Sequence, residues 1–436
     1  MTTWFAPHAL LPDGIASDVT LQEADGRFIA IRPGTRPAPG AARLPGVVLP
    51  GLANCHSHAF HRALRGRTHH GGGTFWTWRE GMYAVAAALD PDSYLDLARA
   101  TYAEMALAGI TTVGEFHYLH HAPGGVHYTD PNAMGAALIQ AAADAGIRLT
   151  LLDTCYLSGG LGPQGHLELG PEQLRFGDRD ADGWADRVGL LADTDAVRIG
   201  AAVHSVRAVS WAALPVVAAA AHGRPLHVHL SEQPAENDAA RAFYGRTPTE
   251  LLDEAGVLGP LTSAVHATHL TGGDIATLGR TGTTSCFCPT TERDLADGIG
   301  PARALLDAGS RLSLGSDQHA VIDLIEEARA LEMHERLASL HRGRFTPAQL
   351  LDAATRHDTL GWPDTGSLAV GHRADLVAAR LDSPRTAGID PAQILLAATS
   401  ADVDTVVVDG QTVVTAGQHR LGDVGDLLRG AIQPLW

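Results

Sequence analysis

Along most of its length the chain alternates between two hydrophobic patterns. Stretches with apolar residues at helical spacing close on a glycine, most plainly at Ala108-Gly109, Ala145-Gly146 and Ala308-Gly309, and each gives way to a short continuous apolar run. The runs are residues 110–118, 147–155, 196–204, 225–232, 263–270, 283–290 and 311–318, and the stretch around His56 makes eight. A continuous apolar run between helical segments is the pattern of a parallel strand covered on both faces. Eight strand-helix units in succession predict a (β/α)8 TIM-like barrel, with helical crossovers joining parallel neighbours. No sequence repeat relates the units.

The two ends of the chain break this rhythm. Residues 1–46 read as short strands and turns, with Pro33, Pro37 and Pro39 marking a loop. From residue 365 onward, Asp375-Leu376-Val377 and Asp404-Thr405-Val406-Val407-Val408 read as strands again. The expectation is a small β-sandwich domain built from residues 1–46 and 365–436, with the barrel between them over 47–364. Past Phe60 a stretch rich in Gly, His and Trp, through Gly71-Gly72-Gly73 and Phe75-Trp76-Thr77-Trp78-Arg79, reads as a long functional loop.

Composition narrows the chemistry. With 45% hydrophobic and 19% charged residues, the 436-residue chain has the make-up of a globular protein with a substantial core. A net charge of -17 argues against a nucleic-acid partner, which needs a basic surface. All 32 basic residues are arginines, so Schiff-base chemistry, a P-loop and a carbamylated-lysine metal bridge are excluded. Cys55, Cys155, Cys286 and Cys288 have no zinc-ribbon spacing and are too sparse for a disulfide scaffold, and Cys286-Phe287-Cys288 reads as core. The N-terminus has no basic leader region and no apolar run is long enough for a bilayer, so a cytoplasmic enzyme without membrane or nucleic-acid partners is expected.

The polar residues of interest gather at the C-terminal ends of the predicted strands, the face on which barrel enzymes build their sites. His56 and His58, two apart, share one face of an extended strand and make half a metal site. His204, His229 with Glu232, His266 or His269, and Asp317 end later runs. A lone strand-end histidine is usually a structural one, but this many on one face points to a site. Spacing cannot choose between His227 and His229, which share a face, although position near the strand end favours His229. The choice between His266 and His269 also stays open. Two or three histidines and an aspartate with an open position would bind a divalent ion, which lowers the pKa of a coordinated water from 15.7 toward ~7. Hydrolysis follows, with Asp317 and Glu232 as carriers of protons.

These residues resemble the amidohydrolase superfamily in its metal-dependent deaminase branch. The resemblance is carried by Pro50-Gly51-Leu52 before His56-Ser57-His58, by His229-Leu230-Ser231-Glu232, His266 and Gly315-Ser316-Asp317, and by the closing stretch from Gly366 to Val377. Within that branch, Phe75-Trp76-Thr77-Trp78-Arg79-Glu80, Glu115-Phe116-His117-Tyr118-Leu119-His120-His121 and His204-Ser205-Val206-Arg207-Ala208-Val209 are similar to the deiminases of histidine degradation. The resemblance implies hydrolysis of N-formimidoyl-L-glutamate to N-formyl-L-glutamate and ammonia. It also implies one zinc ion held by His56, His58, His229 and Asp317, with His266 facing the substrate and Glu232, His266 and Asp317 as the catalytic set.

A substrate with two carboxylates needs cationic or hydrogen-bonding partners once out of water, and arginine forks suit the task. Arg79 and Arg207 are the candidates, with Tyr118 and His204 as further donors. His61 stands where the resembled pattern carries glutamine, and either side chain can donate one hydrogen bond. The rival reading is a deaminase of an aromatic amine such as a purine, pterin or triazine. His69-His70 and His120-His121 read as loop histidines without a metal role. A homodimer is implied by the resemblance alone.

Overall fold

The computed structural model describes residues 1–69, 72 and 75–436. Its centre is a barrel of eight parallel strands: β1 (Leu52–Ser57), β2 (Ile110–His117), β3 (Arg148–Cys155), β4 (Val197–Val203), β5 (Leu226–Leu230), β6 (Thr262–His266), β7 (Thr284–Phe287) and β8 (Leu312–Leu314). Each coincides with one of the apolar runs read from the sequence, β6 starting one residue ahead of its run. Between them lie helices such as Pro91–Leu107, Ala133–Ala145 and Gly272–Thr281, which cover the outer face. The β1–β8 seam closes just beyond β8: Asp317 donates its N–H to the His56 carbonyl (2.9 Å) and His58 donates to the Asp317 carbonyl (3.2 Å). The bonds that complete the barrel are thus made by three of the candidate site residues.

Gly315 makes this seam possible. A Cβ there would lie 2.6 Å from the His56 Cβ and 2.9 Å from its backbone N, closer than such atoms approach. Gly315→Ala is expected to cost ~1–3 kcal/mol through forced displacement of the seam. The thermal midpoint and the metal content per chain should fall together, and a variant with wild-type values of both would show that the seam tolerates the methyl.

The terminal segments form, among the described residues, one nine-stranded sheet. Its order is Gln418–His419, Gln411–Thr415, Val403–Val408, Leu376–Ala379, Val47–Pro50, Thr2–Leu11, Gly14–Ala24 and Arg27–Arg32, with Ala42–Arg43 beside Thr2–Leu11. It has a core of its own around Trp4, Val19, Leu21, Phe28, Leu376 and Val407. Arg148 on β3 ties this sheet to the barrel through ion pairs to Asp375 and to Asp409 (2.9 Å), with its guanidinium 5.4 Å from the Trp362 ring centre.

Two expectations are corrected here. The run Val47–Pro50 pairs with Thr2–Leu11 and Leu376–Ala379, so it belongs to the terminal sheet, and the barrel begins at Leu52 instead of residue 47. The chain changes sheets at Gly51, where the Thr111 side chain fills the space a Cβ would need. Second, the stretch read as a loop through Arg79 is helical over Phe75–Ala88, anchored by buried Met82, Val85 and Ala86. His70 and the side chains of Phe75 and Trp76 lie outside the described residues. None of the described helices is long and apolar enough to cross a membrane.

Candidate active site

At the C-terminal mouth of the barrel, side chains from β1, β5 and the turn after β8 converge. His56 Nε2 lies 3.1 Å from His229 Nε2 and 3.3 Å from Asp317 Oδ1, and His58 Nε2 lies 3.4 Å from the same oxygen. His58 Nδ1 is 2.8 Å from the Phe116 carbonyl and His229 Nδ1 is 2.9 Å from the His204 carbonyl. A carbonyl only accepts, so each ring places its proton on Nδ1 and turns an Nε2 lone pair toward a common point. Candidate ligand atoms of His56, His58 and His229 lie within 4.8 Å of one another, as do those of His56, His266 and Asp317. Three neutral imidazoles and one carboxylate are a donor set for a divalent transition ion.

The electrostatics agree with this use. Burial drives His56 down to about 3 and lowers His58 and His229, so the three rings are neutral at physiological pH. Burial also works to raise Asp317, yet the His56 hydrogen bond and the charge of His266 hold it below the ordinary carboxylate range. Asp317 therefore offers a carboxylate at any working pH.

Beside the donors sit the groups that could move protons. His266 Nε2 is 3.7 Å from Glu232 Oε1 and 3.8 Å from Asp317 Oδ2, while its Nδ1 faces Glu292 Oε1 at 3.6 Å. Although burial opposes its charging, these three carboxylates push His266 well above its ordinary value. Strand-end backbone takes up left-handed conformations to aim these side chains, with φ +50° at Ser231, +68° at His266 and +44° at Asp317. Such strain in non-glycine residues persists where the surrounding structure enforces it.

A cavity of about 510 Å³ opens above this group. It is lined by His58, His61, Arg79, Tyr118, His204, Arg207, His229, Glu232, His266 and Asp317, whereas His56 lies fully buried beneath. His61 Nε2 is 2.9 Å from the Tyr118 hydroxyl. Arg79 donates from Nε to the Tyr83 hydroxyl at 2.9 Å, and His204 Nδ1 lies 3.2 Å from Ser205 Oγ. Apart from His56 beneath it, the metal, catalytic and substrate residues chosen from the sequence thus border one space.

Two questions that spacing left open have geometric answers. His227 is buried below His229, deeper in the barrel, and does not line the cavity. His269 turns its Nε2 to the Asp297 carbonyl at 2.7 Å, leaving His266 as the ring in the cavity. His120 and His121 are buried: His120 reaches the Thr154 carbonyl (2.9 Å) and His121 reaches Asp178 (3.2 Å). His117, His120 and Asp153 form another donor cluster, but Arg187 occupies both Asp153 oxygens.

Sequence reasoning missed several supporting groups. Glu115 accepts hydrogen bonds from Ser57 Oγ and the Ala59 N–H, both at 2.6 Å, and so clamps the backbone on either side of His58. Burial raises its carboxyl to about 8. Asn54 bridges to Ser316 through bonds of 2.7 and 2.9 Å, fixing the strand before His56 to the turn that carries Asp317. Glu292 and Glu236 were also passed over, because a carboxylate within a helix is ordinarily a solvated one.

The family comparison follows this geometry: the amidohydrolase family matches residues 47–413, spanning the barrel and the strands Val47–Pro50, Leu376–Ala379 and Val403–Val408 of the terminal sheet. The chain belongs to the amidohydrolase family. A second match, described as the N-terminal domain of formimidoylglutamate deiminase HutF, covers residues 1–44. A formimidoylglutamate deiminase of Pseudomonas aeruginosa is 38% identical to this amidohydrolase over 437 residues, 96% of each chain. An 8-oxoguanine deaminase of the same species is 33% identical over 90% of this chain and 89% of its own. Among solved structures, an amidohydrolase from Brucella melitensis superposes with a TM-score of 0.91 at 30% identity, covering both chains fully. Family and donor set together point to a divalent metal ion.

Proposed function

We propose that this amidohydrolase is a formimidoylglutamate deiminase of histidine degradation, hydrolysing N-formimidoyl-L-glutamate to N-formyl-L-glutamate and ammonia. The observation that carries the reading is that a proton-moving group and two arginines line a single cavity above a metal-type donor cluster. The match of residues 1–44 and the 38% identity to the Pseudomonas enzyme support the same substrate.

His56, His58, His229 and Asp317 would hold the ion, and their nitrogen-rich set suits one zinc. When bound, the ion supplies a Lewis acid and an activated water. Asp317 uses Oδ1 on the donor side and has Oδ2 toward His266, where it can accept a proton from the attacking water. As the water oxygen adds to the formimidoyl carbon, His266 donates a hydrogen bond to the tetrahedral centre. Glu232, whose Oε1 faces the same Nε2 of His266, delivers a proton to the departing nitrogen, the C–N bond breaks and ammonia leaves. Arg79 and Arg207 receive the two carboxylates, with Tyr118, His61 and His204 completing the polar wall.

The 8-oxoguanine deaminase relative makes an aromatic-amine substrate the competing reading. Arg79→Met separates the two. A charge-assisted contact contributes ~1.5–3 kcal/mol, so kcat/KM for N-formimidoyl-L-glutamate should fall roughly ten- to hundredfold, while a neutral heterocycle should lose little. Ammonia release from metal-loaded protein, with 8-oxoguanine alongside, decides the matter. Turnover of the heterocycle and none of the glutamate compound would sink the proposal.

A further inference from the structure

Glu236 lines the same cavity, and no step above uses it. It sits in the first turn of the helix Pro234–Tyr244 and is 1% exposed. One of its oxygens accepts from the Ser231 backbone N–H and the other from Arg207 Nε, both at 3.2 Å. Next to it, Arg207 Nη2 stands 3.8 Å from Glu232 Oε2, too far for a hydrogen bond. Arg207 is therefore flanked by two carboxylates, one of which has to move protons.

A guanidinium with a single carboxylate neighbour closes onto it as a bidentate pair. Without Glu236 the nearest carboxylate to Arg207 would be Glu232. Closure there would engage the oxygens that carry protons and turn the fork away from the cavity. We propose that Glu236 is a positioning residue: by holding the Nε edge of Arg207 it keeps the guanidinium off Glu232 and open to the substrate carboxylate.

The local backbone serves this arrangement. Glu232 and Glu236 are four residues apart and would share a face of one continuous helix, with their charges side by side. The left-handed Ser231 (φ +50°) and the extended Gln233 before Pro234 leave Glu232 at the strand end and place Glu236 in the helix. The two like charges thus meet Arg207 from different elements. Burial raises the Glu236 carboxyl and Arg207 is the main influence opposing it, so the ionised form depends on this partner.

The inference rests on Arg207 receiving a substrate carboxylate, and a double-mutant cycle on the metal-loaded full chain tests it. Glu236→Gln keeps the shape and one acceptor oxygen, replaces the other with an NH2 donor and removes the charge. It should lower kcat/KM for N-formimidoyl-L-glutamate roughly ten- to hundredfold alone, and less than about twofold in the Arg207→Ala background. Calorimetric binding of N-formyl-L-glutamate should weaken about tenfold in the single variant. Losses that multiply in the double variant, or a single variant with wild-type kinetics, would overturn the assignment. Glu236→Asp, which keeps the charge, guards against a glutamine variant that does not fold: it should retain kcat within about fivefold, and a larger loss that persists without Arg207 would count against the proposal. Wild-type protein that binds N-formyl-L-glutamate but releases no ammonia from the formimidoyl compound would instead defeat the functional reading.

Discussion

Glu232→Gln is expected to lower kcat for N-formimidoyl-L-glutamate by roughly 10²–10⁴-fold, the range for losing a general acid-base group. Metal content should stay at the wild-type level. The two halves follow from one geometry: Glu232 lines the cavity 3.7 Å from His266 Nε2 but is absent from the clusters of converging donor atoms. Glutamine matches its volume, so the loss should fall on kcat more than on KM. Steady-state kinetics and metal analysis on the same preparation check both parts. A variant within about threefold of wild-type kcat would remove Glu232 from the proton path, and one that lost its metal would make it part of the binding cluster.

The barrel strands were legible because each is covered on both sides: Ile110–His117 and Arg148–Cys155 are buried at every position, and such strands appear as unbroken apolar runs. The helix Phe75–Ala88 was not legible. Its first turns are aromatic and polar, a triple glycine stands just before it, and only packing of Met82, Val85 and Ala86 on the barrel discloses it. Val47–Pro50 and Leu52–Ser57 read as one run because both are wholly buried, and the step between sheets rests on a single residue, Gly51.

The site was legible in its residue types and less so in its orientations. His229 could be preferred to His227 from its place near the strand end, whereas His266 and His269 differ through a backbone excursion to φ +68° that no periodicity announces. The charges that support the site lay furthest from view. Glu115, Glu236 and Glu292 are each nearly or fully buried, and their roles depend on partners 58, 29 and 26 residues distant at Ser57, Arg207 and His266.

Withdrawal of the metal should have the largest effect of all. Chelated and dialysed protein is expected to fall below about 1% of the loaded activity, since water at its unassisted pKa of 15.7 is a poor nucleophile near pH 7. Zinc alone should restore ammonia release, and recovery should saturate at one ion per chain. Restoration only at two ions would contradict the single-site assignment. Folding should report the same site. An ion at ~1,000 times its Kd adds about 4 kcal/mol of stability, so the thermal midpoint should rise on loading.

Acid should act on the metal-free chain through the same histidines. Burial holds His56 at about 3 when folded, with His58 and His229 also lowered, against an ordinary value of 6.5 when unfolded. Between those values unfolding takes up protons, so stability is fully present above 6.5 and is lost as pH falls through that window. Asp317 adds to the loss at the acid end, its carboxyl being lower in the folded chain than the ordinary 3.8. Denaturant midpoints of apo-protein measured across pH 4–8 should therefore rise with pH, and His229→Gln should flatten the rise. An unchanged slope would place the proton uptake elsewhere and show that burial of the donor cluster does not set the acid sensitivity.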